Sequence, residues 1–471
     1  MEPIFALSLS IPVRLAFRNF PLITLILTVT LMWLMVIHQE KQGQPEFDSS
    51  SDFNTDEHRQ AQDLEKDTNG FIFTSFSSES RCTLQGLLPE LPFSRSRFDN
   101  KRIIRIFDYV RTGKSWENLV NQYSICLATQ SSLDRIKHIP ELLKTWRGPV
   151  SLAVYITNEE EWLMLNLYIR FLERCYPSFG NQVSIHLAVP SSLDQFCFKE
   201  GVLEKWEANQ ATIENKYQCH EVHDFMNLLI STFPITEKAK LALKEVYPQN
   251  HMRNIARKGC ATDWTFSTDI DIIPSEGLAE NLQEFYDSLK ENRINCEKCA
   301  YVIPTFELEE TQPFPKTKRE LIACYESGAA RQFHGKYYST AHNATNFPLW
   351  ASTNLEDGPV TLSHNVTSSQ TFLYEPFYVS SDLIPPFDER FLGYGFTRNS
   401  QFQAAFYAGW NFTVLTPVFN IHPGLQTHKT VISPKKEGVG KNVRKEQTSR
   451  NYQIFKKVLK EMKLKQAEGI F

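Results

Sequence analysis

Tyr123-Ser124-Ile125-Cys126-Leu127-Ala128-Thr129, Val150 to Ile156 and Val183 to Val189 are three short apolar runs, the last ended by Pro190. Between them lie two stretches of helical pattern: Leu133 to Trp146, stopped by Gly148-Pro149, and Glu159 to Cys175, which Thr157-Asn158 can cap. Strand, helix, strand, helix, strand is the order of a parallel sheet with right-handed crossovers, so the expected fold class is α/β. Nucleotides bind at the carboxyl ends of such strands. Thr129 ends the first strand, and Asp134 and Arg135 follow closely, so these are candidate contacts for a base and ribose.

Further along the chain, Val246 to Gly259 reads as a helix that starts at Pro248 and stops at Gly259. Arg253 and Arg257 stand at i and i+4 with Asn254 beside them, a suitable set for nucleotide phosphate. The strand-like run Ala261 to Thr268 then leads into Asp269-Ile270-Asp271, followed by Pro274 and Gly277. Strand alternation would put both carboxylates on one face at the strand's exit. A hard divalent cation often brings substrate phosphates and takes one or two protein carboxylates, which is what this spacing offers. A D-x-D tripeptide also arises by chance, so its neighbours must carry the case. The run Pro386 to Arg398 mixes acids, glycines and aromatics, in which Tyr394 and Phe396 can stack on an acceptor sugar ring and a carboxylate can take a hydroxyl proton. Val418 to His422 is strand-like, and the His422 imidazole can complete the coordination of a metal held by Asp271.

Toward the amino terminus, Asn19 to Ile37 contains no charged residue and is long enough to cross a bilayer as a helix. Arg14 and Arg18 precede it, so residues 1–18 are expected in the cytosol and the rest in the lumen. A cleaved signal peptide is the rival, but no small-x-small site closes the run. Residues 38–95, rich in Gln, Asp, Glu and Ser at first, are expected to form a flexible stem, and 96–430 the catalytic unit. Three sequons, at Asn343, Asn365 and Asn411, fall on the lumenal side, as do nine cysteines, an odd number. Cys296 and Cys299 lack the further ligands of a zinc site, so a structural role is expected. A net charge of -4 argues against nucleic-acid binding. Residues 431–471 are basic, and Tyr452, Phe455, Val458, Leu459 and Met462 recur at helical spacing, as in an amphipathic helix docked on the domain.

The stretch Tyr247 to Ser275, the run Phe387 to Gly395 and the distal Phe419-Asn420-Ile421-His422 together resemble glycosyltransferase family 49. The resemblance covers about Tyr123 to His422. It implies a GT-A-type nucleotide-sugar-binding domain on a single N-terminal transmembrane helix, a type II Golgi membrane enzyme, and Mn²⁺ held by Asp269, Asp271 and His422. The implied reaction is inverting transfer of glucuronic acid from UDP-glucuronate to a β-xylose-terminated glycan on a glycoprotein, with association into homo- or hetero-oligomers with other Golgi glycosyltransferases. Glu389 and Asp388 are the candidate bases. Where many GT-A enzymes carry an acidic pair after a Gly-aromatic-Gly loop, this chain has Thr397-Arg398, and Arg398 is a candidate partner for the donor's carboxylate. The alternatives are another UDP-sugar donor, N-acetylglucosamine or xylose, on the same fold, and a non-catalytic glycan-binding scaffold.

Overall fold

The three apolar runs lie side by side as parallel strands in the computed structural model, which describes residues 80–81, 91, 93–193, 198–199, 216–232, 246–294, 296–353, 358–367, 371–426 and 439–470. The expected cytosolic tail, membrane span and most of the stem lie outside these residues. No helix among the described residues is long and apolar enough to cross a membrane.

The strands that concern the site are β1 (Arg97–Phe98), β2 (Ile104–Arg111), β3 (Ile125–Ser132), β4 (Val150–Tyr155), β5 (Val183–Pro190), β6 (Trp264–Ser267), β7 (Ile273–Pro274), β8 (Cys299–Val302), β9 (Thr305–Leu308), β10 (Ala330–Gln332), β11 (Thr361–Asn365), β12 (Tyr378–Ser381), β13 (Asn411–Thr416) and β14 (Asn420–Pro423). The large sheet runs β11-β13-β8-β12-β6-β3-β4-β5-β2-β1. Its centre, β6-β3-β4-β5, is parallel, and antiparallel strands flank it on both sides. A smaller sheet runs β10-β9-β14-β7.

Strands β4 and β5 are buried along their whole length, so each face of the sheet must be covered. On one face, helix α1 (Glu159–Cys175) contributes Trp162, Leu163, Leu167 and Phe171 to a core shared with Ile125, Leu127 and Leu152. Its start is built as the sequence suggests: Asn158 Oδ1 accepts from the Glu161 N–H at 2.9 Å, and Glu161 Oε2 accepts from the Thr157 N–H at 2.6 Å. Such a cap contributes about 1 kcal/mol. On the other face, helix α2 (Gln249–Lys258) packs Met252, Ile255 and Ala256 against Ala128, Ala153 and Tyr155.

Two local expectations change. The stretch Leu133 to Trp146 is not one helix but a 3₁₀ segment, Leu133–His138, followed by an α-helix, Ile139–Thr145. Pro140 has no N–H to donate back and its ring crowds the preceding turn, so the helix restarts there. The strand expected over Ala261 to Thr268 is limited to Trp264–Ser267.

Cys126 is bonded to Cys260, Cys175 to Cys219, and Cys296 to Cys299, while Cys324 is free. The Cys296/Cys299 pair is thus a local cross-link, not a metal site. The basic carboxyl-terminal segment forms helix α4 (Val439–Ala467), which buries Phe455, Val458 and Met462 against Phe391. Each such side chain taken from water contributes about 1.5–3 kcal/mol.

Candidate active site

The two aspartates are placed by a turn and a second sheet. Strand β6 ends at Ser267, the Thr268 N–H still donates to the Ala128 carbonyl of β3 at 3.0 Å, and the Ile272 N–H then closes a turn onto the Asp269 carbonyl at 3.0 Å. Strand alternation therefore does not set the relation of Asp269 to Asp271. Immediately after the turn, β7 pairs antiparallel with β14, Ile273 opposite Ile421. His422 is the next residue of β14, and that register brings its Nε2 to 3.8 Å from Asp271 Oδ2. Residues 151 positions apart are thus neighbours because two short strands share a ladder.

Arginines dominate the electrostatics. Asp269 Oδ1 accepts from Arg398 at 2.9 Å and from Arg253 at 3.2 Å. Burial alone would raise the Asp269 carboxyl, but Arg398 and then Arg253 hold it well below the usual carboxylate range. Both arginine bonds land on Oδ1, so Oδ2 takes neither. Asp271 Oδ2 is paired with Arg135. Arg398 is 5% exposed, also donates to the Ser267 carbonyl at 3.3 Å, and lies 4.2 Å from the centre of the Phe377 ring.

The loop before Arg398 is shaped by positive φ angles at Gly393 (71°), Gly395 (91°) and Phe396 (60°), after which helix α3 (Thr397–Tyr407) begins. A side chain is strained at such angles, and a Cβ at Gly395 would also lie 3.3 Å from Thr448 of α4. From α4, Asn451 Nδ2 donates to the carbonyls of Leu392, Tyr394 and Gly395 at 3.1, 3.1 and 2.9 Å. The terminal helix therefore holds the loop that delivers Arg398.

The oxygen and imidazole donors of Asp271 and His422 fit a transition-metal ion such as Mn²⁺, and Asp269 Oδ2 can add to them. His422 Nδ1 has no hydrogen-bond partner. The three expected metal ligands are thus unequal: Asp271, paired with the exposed Arg135, also approaches His422, while Asp269 is bound by two buried arginines.

Other expected residues have different employment. Arg257 is not aimed at a phosphate: its guanidinium pairs with Asp382 at 2.7 Å and donates to the carbonyls of Pro385 and Ile384. Asn254 hydrogen-bonds both backbone groups of Phe387 and donates to Glu389 Oε1 at 3.0 Å, so it shapes a loop. Asp388 is bound by Arg390, which also pairs with Glu461 of α4. An acid so neutralised is a poor base. Phe396 is covered by Phe455 and Tyr452 of α4, at 5.0 and 5.4 Å between ring centres, and does not present a stacking face as expected. Tyr394 is 52% exposed with Arg444 above its ring. Arg398 is taken up by Asp269, which opposes its expected pairing with a donor carboxylate. Thr129 is not at the strand's end as expected: β3 runs on to Ser132, and Thr129 is buried inside it with Oγ1 unpartnered, while Asp134 accepts from Ser132 at 2.5 Å. Asn343, Asn365 and Asn411 are exposed.

Sequence reading missed Glu375. Burial pushes its carboxyl up to about 7, against Arg398 and Arg253, which draw it down, and with Asp269, which adds to the rise. No local motif marks it. Its N–H is pinned to the Ala341 carbonyl at 2.8 Å, and only the tertiary fold brings it within the field of the arginines.

An acid–imidazole pair and three arginines at the carboxyl ends of parallel strands make a site for a cation and a polyanion, the kind that nucleotide-using enzymes carry. Residues 124–466 match the family profile described as "Glycosyl-transferase for dystroglycan". The chain belongs to this family, glycosyltransferase family 49, and is a glycosyltransferase. It is 30% identical over 339 residues to the beta-1,4-glucuronyltransferase 1 of Mus musculus, covering 72% of this chain and 75% of that one. It is 32% identical over 302 residues to the Homo sapiens protein of the same name, covering 64% and 68%. The Mus musculus xylosyl- and glucuronyltransferase LARGE1 is 26% identical over 332 residues, which are 70% of this chain and 34% of that protein.

Proposed function

We propose that the protein is an inverting, Mn²⁺-dependent glycosyltransferase of GT-A type that moves glucuronic acid from UDP-glucuronate to a β-xylose-terminated O-glycan primer on a glycoprotein. Its catalytic domain would work in the Golgi lumen, behind one N-terminal span. The observation that supports this most is the 3.8 Å approach of His422 to Asp271 beside the arginine-bound Asp269. The names of the relatives favour glucuronate over other UDP-sugars as donor.

Asp271 and His422 would hold the metal, with Asp269 alongside. Bound there, Mn²⁺ supplies positive charge for the departing diphosphate. Arg253 and Arg398 keep Asp269 ionised and fixed in place. Arg135 is released by any cation that takes the Asp271 carboxylate, and its guanidinium then suits a phosphate oxygen. In this reading Asp134, just beyond β3, would contact the ribose, and buried Thr129 would support the strand end beneath the base. Exposed Tyr394 offers a ring face to the acceptor.

Glu375 is our choice of general base. A carboxyl near 7 accepts a hydroxyl proton far better than an ordinary one, and its value matches a neutral working pH. Asp388 is committed to Arg390 and Glu389 to Asn254.

Incubating the soluble lumenal portion with UDP-glucuronate, UDP-N-acetylglucosamine or UDP-xylose, a xyloside acceptor, and Mn²⁺ or a chelator tests the reading. Transfer should need glucuronate and metal. Equal transfer from the other donors, or full activity in chelator, would overturn it.

A further inference from the structure

Asp99, in the turn before β2, His251, in the first turns of α2, and Glu389, in the loop before α3, converge outside the site described above. Their ligand atoms all lie within 4.8 Å of one another: His251 Nε2 is 3.5 Å from Asp99 Oδ2 and 3.6 Å from Glu389 Oε2. The Asp99 and His251 side chains are each 1% exposed and that of Glu389 26%. We propose that these three residues form a second divalent-cation site, taking Zn²⁺ or a similar borderline ion through one imidazole and two carboxylates, which ties the sheet edge and α2 to the loop that delivers Arg398.

Three observations carry this. First, neither ring nitrogen of His251 has a hydrogen-bond partner, although the ring is buried. Orphaned polar atoms at that depth are costly, about 1–3 kcal/mol each, and a metal on Nε2 removes one of them. Second, Asp99 Oδ2 and Glu389 Oε2 are both directed at the same ring nitrogen, Nε2, at 3.5 and 3.6 Å. Two carboxylates converging on one point repel one another unless positive charge sits between them. Lys101 is felt electrostatically by His251 but forms no ion pair with Asp99 or Glu389.

Third, the carboxylates are held in orientation from behind. Asp99 Oδ1 accepts from the N–H groups of Ile103 and Ile104 at 2.7 and 2.8 Å, and Oδ2 from Lys101 N–H at 3.0 Å. Glu389 gives Oε1 to Asn254 and leaves Oε2 toward the ring. Metal sites are built in this way, with outer hydrogen bonds aiming the ligands. Ligands at about 2.0–2.2 Å around a tetrahedral ion stand about 3.3–3.6 Å apart, which the 3.5 and 3.6 Å separations from His251 match, and the two carboxylates lie within 4.8 Å of one another. One nitrogen among the donors favours zinc over the all-oxygen preference of Ca²⁺ or Mg²⁺.

The test uses the full chain, purified in detergent and dialysed against a weak chelator, on a His422→Ala background that removes the other site. Metal content by mass spectrometry should show about one zinc per chain, and Co²⁺ in its place should give a visible absorption band. Asp99→Asn and Glu389→Gln should each lose that zinc and the band, and the thermal stabilisation that added Zn²⁺ gives the parent should vanish. Glu389→Gln keeps the size of the side chain and its bond to Asn254, so it guards against misfolding; near-ultraviolet circular dichroism checks that it is folded. No zinc in the parent, or equal zinc in Glu389→Gln, would overturn the proposal.

Discussion

Arg398→Ala tests the electrostatic frame of the site. The guanidinium is 5% exposed, sits 2.9 Å from Asp269 Oδ1, bonds the Ser267 carbonyl and covers the Phe377 ring. Two unit charges about 4 Å apart attract by about 4 kcal/mol at the effective dielectric of a protein. Removing one partner of a buried pair costs about 3–5 kcal/mol, because the other is left uncompensated. Arg253 remains at 3.2 Å and absorbs part of this loss. We therefore expect a destabilisation of about 2–4 kcal/mol at pH 7, read from urea unfolding of the lumenal portion.

The sign of the pH dependence follows from the depressed Asp269 carboxyl. Its contribution is present above the unfolded carboxylate value, about 4, and is lost as pH falls through the lower folded value. The cost of Arg398→Ala should shrink accordingly in acid. Paired with Asp269→Asn in a double-mutant cycle, it should show a coupling of about 1–3 kcal/mol. A coupling below about 0.5 kcal/mol, or a loss that does not change with pH, would refute the reasoning.

Asp271→Asn and His422→Ala should each cut Mn²⁺-dependent transfer by about 100-fold or more while leaving the circular dichroism spectrum intact, measured with UDP-glucuronate and a xyloside. Glu375→Gln should lower kcat by about 10²–10⁴-fold and abolish the limb of the pH–rate profile near 7. Because the folded Glu375 carboxyl is raised, the wild type loses stability as pH rises from the ordinary carboxylate range to about 7, so the glutamine variant should be the more stable relative to wild type at pH 8 than at pH 5. Asn451→Ala leaves the Tyr394 and Gly395 carbonyls without their side-chain donor, Leu392 keeping Arg450; a loss of about 1–3 kcal/mol and faster amide exchange around residues 392–396 should follow.

Local chemistry decided much of this protein before any tertiary contact. The apolar runs at β3, β4 and β5, the Asn158 cap, the Gly259 stop and the spacing of Phe455, Val458 and Met462 are short-range signals, and the elements they announce are present. The order of Asp271 and His422 in the family pattern was also legible. What the chain could not state locally is which partner each charge would find. Arg253 and Arg257 look alike one helical turn apart, yet one meets Asp269 and the other Asp382. Glu389 and Asp388 are adjacent acids, but Asn254 takes one and Arg390 the other. Glu375, in no motif, becomes an acid whose carboxyl burial raises to about 7. Helix and strand propensities act over a few residues, whereas ionisation depends on burial and on charges brought near by strands and loops more than a hundred residues apart, and only the packed fold supplies those.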